Sequence, residues 1–240
     1  MFLVISLLFV NLVRASEKPV IFPTHSISHG SLHPRTFYLT NEQENEVIRR
    51  VVCEDFDCPF FTVERDHPNF MRPSQLQQRN YRESKFLFSS DRQKCNATKT
   101  LDLAMSKLTA YRQGSNAREK VYPATQPVLV QIDQFSTVRS SNPWCRLTFT
   151  AGFYTPHYWG IPAAPLEASL KFLQLNENFP VFVHTFTGSI ERHLLNEVEI
   201  FRENLEKLQL CYKSIRFYLA LYDIPVLKDD SRHEIWFEKC

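Results

Sequence analysis

The stretch Phe179–Gly188, FPVFVHTFTG, constrains the fold more than any other part of the chain. Its residues alternate as a strand does, with Val181, Val183 and Thr185 on one side and Phe182, His184 and Phe186 on the other. Both sides are largely apolar, so the strand belongs inside a sheet covered on two faces. Gly188 ends it, and Ser189 offers an N-cap for a long helix. Ile190, Leu194, Val198, Phe201, Leu205 and Leu208 recur every three or four residues there, giving one apolar stripe. A buried strand feeding a helix that packs back on it is the nucleus of an α+β domain.

Composition excludes several function classes. Five glycines in 240 residues leave little for phosphate-cradling loops, and neither a Walker lysine loop nor a dinucleotide fingerprint is present. The formal charge of +2 gives no nucleic-acid footprint. Residues 1–15 begin MFLVISLLFVNLV, too short an apolar run to span a bilayer, and end at Val13-Arg14-Ala15, which suits signal-peptide cleavage. No later segment is apolar enough to cross a membrane, so the mature chain is expected to be secreted. Cys53, Cys58, Cys95, Cys145, Cys211 and Cys240 are an even set that fits no zinc template. In an exported chain they read as disulfides, with the pairing left open by the sequence. Asn96-Ala97-Thr98 is a glycosylation sequon at Asn96.

Residues 16–57 form an N-terminal extension. His25, His29 and His33 are spaced four apart in it, but Gly30, Pro34 and the serines argue against a helix that would gather them on a metal. Thr40-Asn41-Glu42-Gln43 reads as a capping box for a short helix to about Val52. Phe60 to Val63 is extended, and Arg79 to Ser89 reads as one strand. Thr98 to Gln113 is a helix with Leu101, Met105, Leu108 and Tyr111 or Arg112 inward and Gly114 at its C-terminal cap. Val121 to Ile132 is extended, with Pro123 and Pro127 at an edge or bend. Strands follow at 146–154, 169–175, 215–222 and 234–238. Strand, helix and two strands thus occur at about 79–131 and again at about 180–238. One antiparallel sheet curled into a distorted barrel, with two helices outside, satisfies both halves.

Six blocks in order give the chain a family likeness. They are Arg79-Asn80-Tyr81 with Ser84-Lys85-Phe86, then Tyr111 to Asn116, then Thr125-Gln126-Pro127-Val128. Next come Phe153-Tyr154-Thr155-Pro156 with Pro162 to Pro165, then Val181 to Gly188, then Tyr222-Asp223-Ile224-Pro225 with Glu234-Ile235-Trp236. In these the chain resembles the SOUL family of heme-binding proteins, in particular its secreted branch. The resemblance implies an α+β fold over residues 58–240: a distorted antiparallel β-barrel of two pseudo-repeated halves with two flanking helices. It implies non-catalytic binding of heme or a related tetrapyrrole. It also places Asn80 where some members carry a histidine proposed as the iron ligand. An amide is a poor ligand for heme iron.

A macrocycle without that ligand needs an apolar slot and cations for its propionates. The family's shallow groove corresponds to Thr98–Gln113 and the turn Asp223–Arg232. The candidate ligand-binding residues are therefore Asn80, Lys99, Met105, Lys107, Leu108, Lys228 and Arg232, with His233 as the best-placed replacement axial ligand. His184 reads as a buried, hydrogen-bonded histidine, His193 as surface and His157 as part of a loop packed on the barrel. His67 precedes the first family block and has no assigned place. No paired carboxylates, nucleophile elbow or metal cluster is visible, and no catalytic residue is assigned. The alternative is a SOUL-fold scaffold that has lost heme and acts through protein partners or another apolar ligand.

Overall fold

The computed structural model describes residues 41–53, 56–64, 76–90, 97–134, 141–222 and 231–240. Residues 1–48 and 49–240 are separate compact units. In the first, residues 41–48 open helix α1 (Asn41–Cys53); Thr40, the expected cap, lies outside the described residues. In the second, nine strands form one antiparallel sheet in the order β1-β2-β7-β9-β8-β4-β5-β3-β6. They are β1 (Phe61–Glu64), β2 (Leu76–Tyr81), β3 (Ser84–Ser89), β4 (Val128–Gln134), β5 (Leu147–Thr155), β6 (Leu170–Leu175), β7 (Phe179–Thr187), β8 (Arg216–Leu221) and β9 (Arg232–Glu238). Helices α2 (Ala97–Arg112) and α3 (Ile190–Lys207) flank the sheet. This is the curled α+β half-barrel that the sequence leads one to expect.

The order has internal symmetry. The units β2-β3-α2-β4-β5 and β6-β7-α3-β8-β9 meet at the β4–β8 pair, where Val130 lies opposite Leu219. Each unit gives its first strand to the other: β2 pairs with β7, and β6 pairs with β3. The sequence pattern shows the halves but not this exchange. The expected single strand 79–89 is in fact β2 and β3, broken at Arg82-Glu83. There the Arg82 N–H donates to the Phe60 carbonyl at 3.0 Å and the Ser84 hydroxyl to the Arg82 carbonyl at 2.8 Å. The chain crosses from one half of the sheet to the other at that step, so an uninterrupted ladder is impossible. The extended run 121–132 enters the ladder only at Val128, after Pro123 and Pro127, which have no N–H to give.

Strand alternation divides the sheet into two environments. On one face Leu87, Val130, Ala151, Phe182, Leu219 and Phe237 meet the apolar sides of α2 and α3 in one core. Helix α3 buries Ile190, Leu194, Val198, Phe201 and Leu205, the stripe read from its spacing. Helix α2 buries Leu101, Leu108 and Tyr111, with Ala97, Thr100 and Ala104 beside them. Gly114, at φ +109°, ends α2, and the Ser115 N–H returns to the Ala110 carbonyl at 2.9 Å. The other face lines the concave interior with Phe61, Tyr81, Phe86, Leu129, Val183 and Trp236, all buried.

Gly152 in β5 shows how tightly this interior is filled. A Cβ there would lie 2.6 Å from Phe88 Cδ1 and 2.8 Å from the Leu87 carbonyl oxygen. The carbonyl belongs to the sheet and cannot yield. Gly152→Ala is expected to cost about 1–3 kcal/mol and to lower Tm by roughly 3–10 °C. Thermal unfolding followed by circular dichroism checks this; an unchanged Tm would show that the β3–β5 pair gives way freely.

Candidate functional site

The interior of the half-barrel is polar at one point. Glu234 on β9 is fully buried and receives donors at both oxygens. Arg79 on β2 spans it as a fork, with Nη1 2.9 Å from Oε2 and Nη2 2.9 Å from Oε1. The Tyr222 hydroxyl donates to Oε2 at 2.8 Å, Trp236 Nε1 to Oε2 at 3.0 Å and Arg232 Nη2 to Oε1 at 3.1 Å. Arg79 also donates through Nε to Gln77 Oε1 at 2.9 Å and through Nη1 to the Tyr81 hydroxyl at 3.2 Å. The Phe61 ring lies under its guanidinium at 4.6 Å, and Tyr81 stacks on Trp236 at 4.6 Å. Burial alone would push the Glu234 carboxyl up. Arg79 first and Arg232 second outweigh it and hold the carboxyl down at about 2. For Arg79, too, burial opposes the charged form, and the Glu234 carboxylate overcomes it, raising the pKa. The Tyr222 phenol is pushed well up by burial and then by Glu234, so it stays a donor.

A short segment preceding β1 ties down the ends of several strands. Cys53 and Cys58 form a disulfide there. Arg232 Nη2 donates to the Val52 carbonyl at 3.3 Å, and the Gln126 N–H to the Asp57 carbonyl at 2.9 Å. The Tyr158 hydroxyl donates to Asp57 Oδ2 at 2.5 Å. Phe60 packs under the Arg82 guanidinium at 4.1 Å and under Arg49 at 5.9 Å. A second disulfide joins Cys211 and Cys240. Cys145 is disulfide-bonded as well, and Cys95 lies outside the described residues.

The residues singled out from the sequence do not gather at one point. Asn80 lies on β2 between Thr62 of β1 and Pro180 of β7, and its Oδ1 is buried without a hydrogen-bond partner. Lys99, Met105, Lys107 and Leu108 lie on α2, which packs on β5 and β3 across the sheet from β2. Lys99 is exposed, Met105 is half-buried and Leu108 is core. Lys107 Nζ donates to Ser169 Oγ at 3.0 Å and pairs with Glu167 at 3.5 Å. Arg232 faces the interior, where it serves Glu234 and Val52, and lies 4.4 Å over the Tyr222 ring. His233 is wholly buried in the helix-side core, its ring 5.3 Å from Phe186. Asn80 lies opposite Pro180 and His233 opposite Phe186, six residues apart along β7, which is about 20 Å. Lys228, Asn96 and His67 lie outside the described residues, as do His25, His29 and His33.

The remaining histidines sit as their sequence context suggests. His184 is buried, with Nε2 2.8 Å from Glu197 Oε2 and its ring stacked on Phe201 at 5.2 Å. His193 and His157 are exposed. Among the described residues no group of three or more His, Cys, Asp or Glu could hold a metal ion. The side chain at the family's ligand position is an amide, and the residues around it do not fit iron coordination. Among the same residues no helix is long and apolar enough to cross a membrane.

Sequence reading singled out Arg79, Tyr81, Tyr222, Glu234 and Trp236 only as letters in a likeness. Their partnership was missed because 155 residues separate Arg79 from Glu234. The signal available was two charged residues of opposite sign inside otherwise buried strands. Removing one partner should be costly. Arg79→Met leaves Glu234 buried with fewer cations and is expected to lose about 3–5 kcal/mol, while Arg79→Met with Glu234→Met loses less. The sign with pH follows from the lowered carboxyl. Glu234 contributes its full stabilisation above about pH 4.3, the ordinary carboxylate value, and loses it as pH falls toward about 2. Urea unfolding between those limits should therefore show a steeper loss for the wild type than for Glu234→Gln.

Comparison with known proteins follows this geometry. A family model described as SOUL heme-binding protein matches residues 56–238. No curated protein matches the chain. Among solved structures, the hydrolase encoded by lin2189 from Listeria innocua is similar at 9% identity and TM-score 0.47, over 68% of this chain and 90% of its own. A putative bacterial transcription regulation protein from Staphylococcus aureus is similar at 10% identity and TM-score 0.39, over 69% and 98%. Likenesses this distant carry no argument about what the chain does. The family match spans the sheet, both flanking helices and the Arg79–Glu234 pair, and on it the chain belongs to the SOUL heme-binding protein family.

Proposed function

We propose that the chain is a secreted, non-catalytic binder of heme or a related tetrapyrrole, gripping the macrocycle by apolar contact and propionate pairing and not through an iron ligand. The observation that carries this is Asn80: the family's motif blocks are otherwise in place, and the one position tied to iron holds an amide. Helix α2 supplies the contact surface, with Met105 half-buried above Leu108 and with Lys99 and Lys107 as cations for carboxylates. Export is supported by the apolar segment 1–15, by the disulfides Cys53–Cys58 and Cys211–Cys240, and by the sequon at Asn96. On this reading residues 16–57 are an extension and 58–240 the binding domain.

Titration with hemin and with metal-free protoporphyrin IX tests the proposal. Both are expected to perturb the Soret band, with affinities within a few-fold of each other. Lys99→Glu should weaken both about two- to fivefold, as for one exposed ion pair. Hemin binding far tighter than protoporphyrin binding would reveal an iron ligand. No spectral change with either would leave the fold without the function. That last result would establish the alternative, a SOUL-fold scaffold working through protein partners or another apolar ligand.

A further inference from the structure

Four of the most exposed large apolar side chains sit on two adjoining loops: Ile161 is 82% exposed, Leu166 71%, Val121 69% and Tyr158 66%. The loops are 115–122, after α2, and 156–167, between β5 and β6. They are held together with unusual redundancy. The Tyr111 hydroxyl donates to the Ala163 carbonyl at 2.6 Å, and the Ala163 N–H to the Tyr122 hydroxyl at 2.8 Å. The Ala117 N–H donates to the Ala164 carbonyl at 2.9 Å, and Arg118 Nη1 to the Ile161 carbonyl at 3.4 Å. Asn116 is buried and ties its own loop through Nδ2 to the Tyr111 and Lys120 carbonyls at 2.9 and 2.7 Å. The Tyr122 and Trp159 rings stack at 4.5 Å beneath the surface.

This scaffold decides what the exposed residues can do. Val121 directly precedes Tyr122, and Tyr158 directly precedes Trp159, so the outward side chains flank one buried aromatic pair. Ile161 follows Gly160, which has φ +67° and around which a Cβ would meet nothing within 4 Å. The tip therefore stands clear of the rest of the molecule. Loops this fixed lose little entropy on docking, and large apolar groups held in water on a rigid tip mark an interaction site. The tip is convex, which suits a soft surface that can close around it. The charges at its foot favour an anionic one. Arg118 and Lys120 flank the single acid Glu119, and Arg112 lies at the adjoining end of α2. The other nearby acids are occupied, Asp57 by the Tyr158 hydroxyl and Glu167 by Lys107 and Ser169.

We propose that this loop pair docks the protein on an anionic lipid bilayer, with Ile161, Val121 and Tyr158 entering the headgroup layer and Arg118 and Lys120 meeting its negative charge. Tyrosine suits that depth because its ring is apolar and its hydroxyl is polar. The inference is independent of tetrapyrrole binding, which involves a different face of α2.

Co-sedimentation of the full chain with vesicles tests it. Vesicles of phosphatidylcholine mixed with phosphatidylserine are expected to retain the protein, and pure phosphatidylcholine to retain much less. Retention on the mixed vesicles should fall as salt rises to about 0.5 M. Ile161→Asp should lower partitioning about tenfold without moving Tm, because its side chain supports nothing in the fold. Val121→Asp provides a second variant of the same surface. Leu173→Asp, an exposed apolar position on β6, should leave binding unchanged. No retention on either vesicle would overturn the proposal, as would retention that Ile161→Asp and Val121→Asp leave intact. Equal retention on neutral vesicles would overturn the assignment to an anionic surface. Self-association abolished by Ile161→Asp, without vesicle binding, would assign the tip to a second copy of the chain and overturn the lipid reading.

Discussion

A carboxylate with five donors, sealed inside an aromatic half-barrel, governs this structure. Glu234 cannot be buried unless Arg79, Arg232, Tyr222 and Trp236 all reach it. That demand fixes the geometry of three strands at once. Arg79 is on β2, Glu234 is on β9, and β7 runs between them. A slip of one residue in either pairing would turn one charge into the helix-side core, where nothing could receive it. Hydrophobic burial would tolerate several registers of such phenylalanine-rich strands. The ion pair admits one.

The same view explains the family blocks. Arg79 and Tyr81 of the first block meet Glu234 and Trp236 of the last. Gln126 Nε2 donates to the Tyr222 carbonyl at 2.6 Å, joining the third block to the last. The Thr125 hydroxyl donates to the Tyr154 carbonyl at 2.7 Å, and the Thr155 hydroxyl to the Lys85 carbonyl at 2.9 Å, joining neighbouring blocks across strands. Tyr111 and Asn116 hold the second block to the proline loop at Ala163. Residues that identify the family are thus mostly the fasteners of its sheet, and they report on architecture before they report on a ligand.

Legibility in the sequence followed the range of the interactions involved. Strand β7 and helix α3 were readable because alternation and the three-to-four spacing are local signals that each element carries in full. The buried His184 was readable for the same reason, sitting between Phe182 and Phe186. The exchange of β2 and β6 between halves was not readable, because strand partners are set by contacts across the whole chain. The break at Arg82-Glu83 belongs with it, since only the exchange requires a break. Arg232 and His233 looked like groove residues because the turn was expected to reach Arg232. Strand β9 begins at that residue, so Arg232 turns inward and His233 into the core.

Alternation finally separates the fold from the ligand. Arg79 and Asn80 are neighbours in sequence, and a strand sends neighbours to opposite faces. Arg79 carries the interior network, while Asn80 lies on the face of Pro180 and Phe182, outside it. Exchanging an imidazole for an amide at position 80 therefore leaves every bond to Glu234 in place. A chain can retain the full architectural signature of the family while the chemistry at its proposed iron position changes. The buried and unpartnered Asn80 Oδ1 marks that change, since no element of the sheet has been arranged to use it. What the family shares through position 79 is a way of closing a half-barrel, and what it varies through position 80 is how a macrocycle would be held.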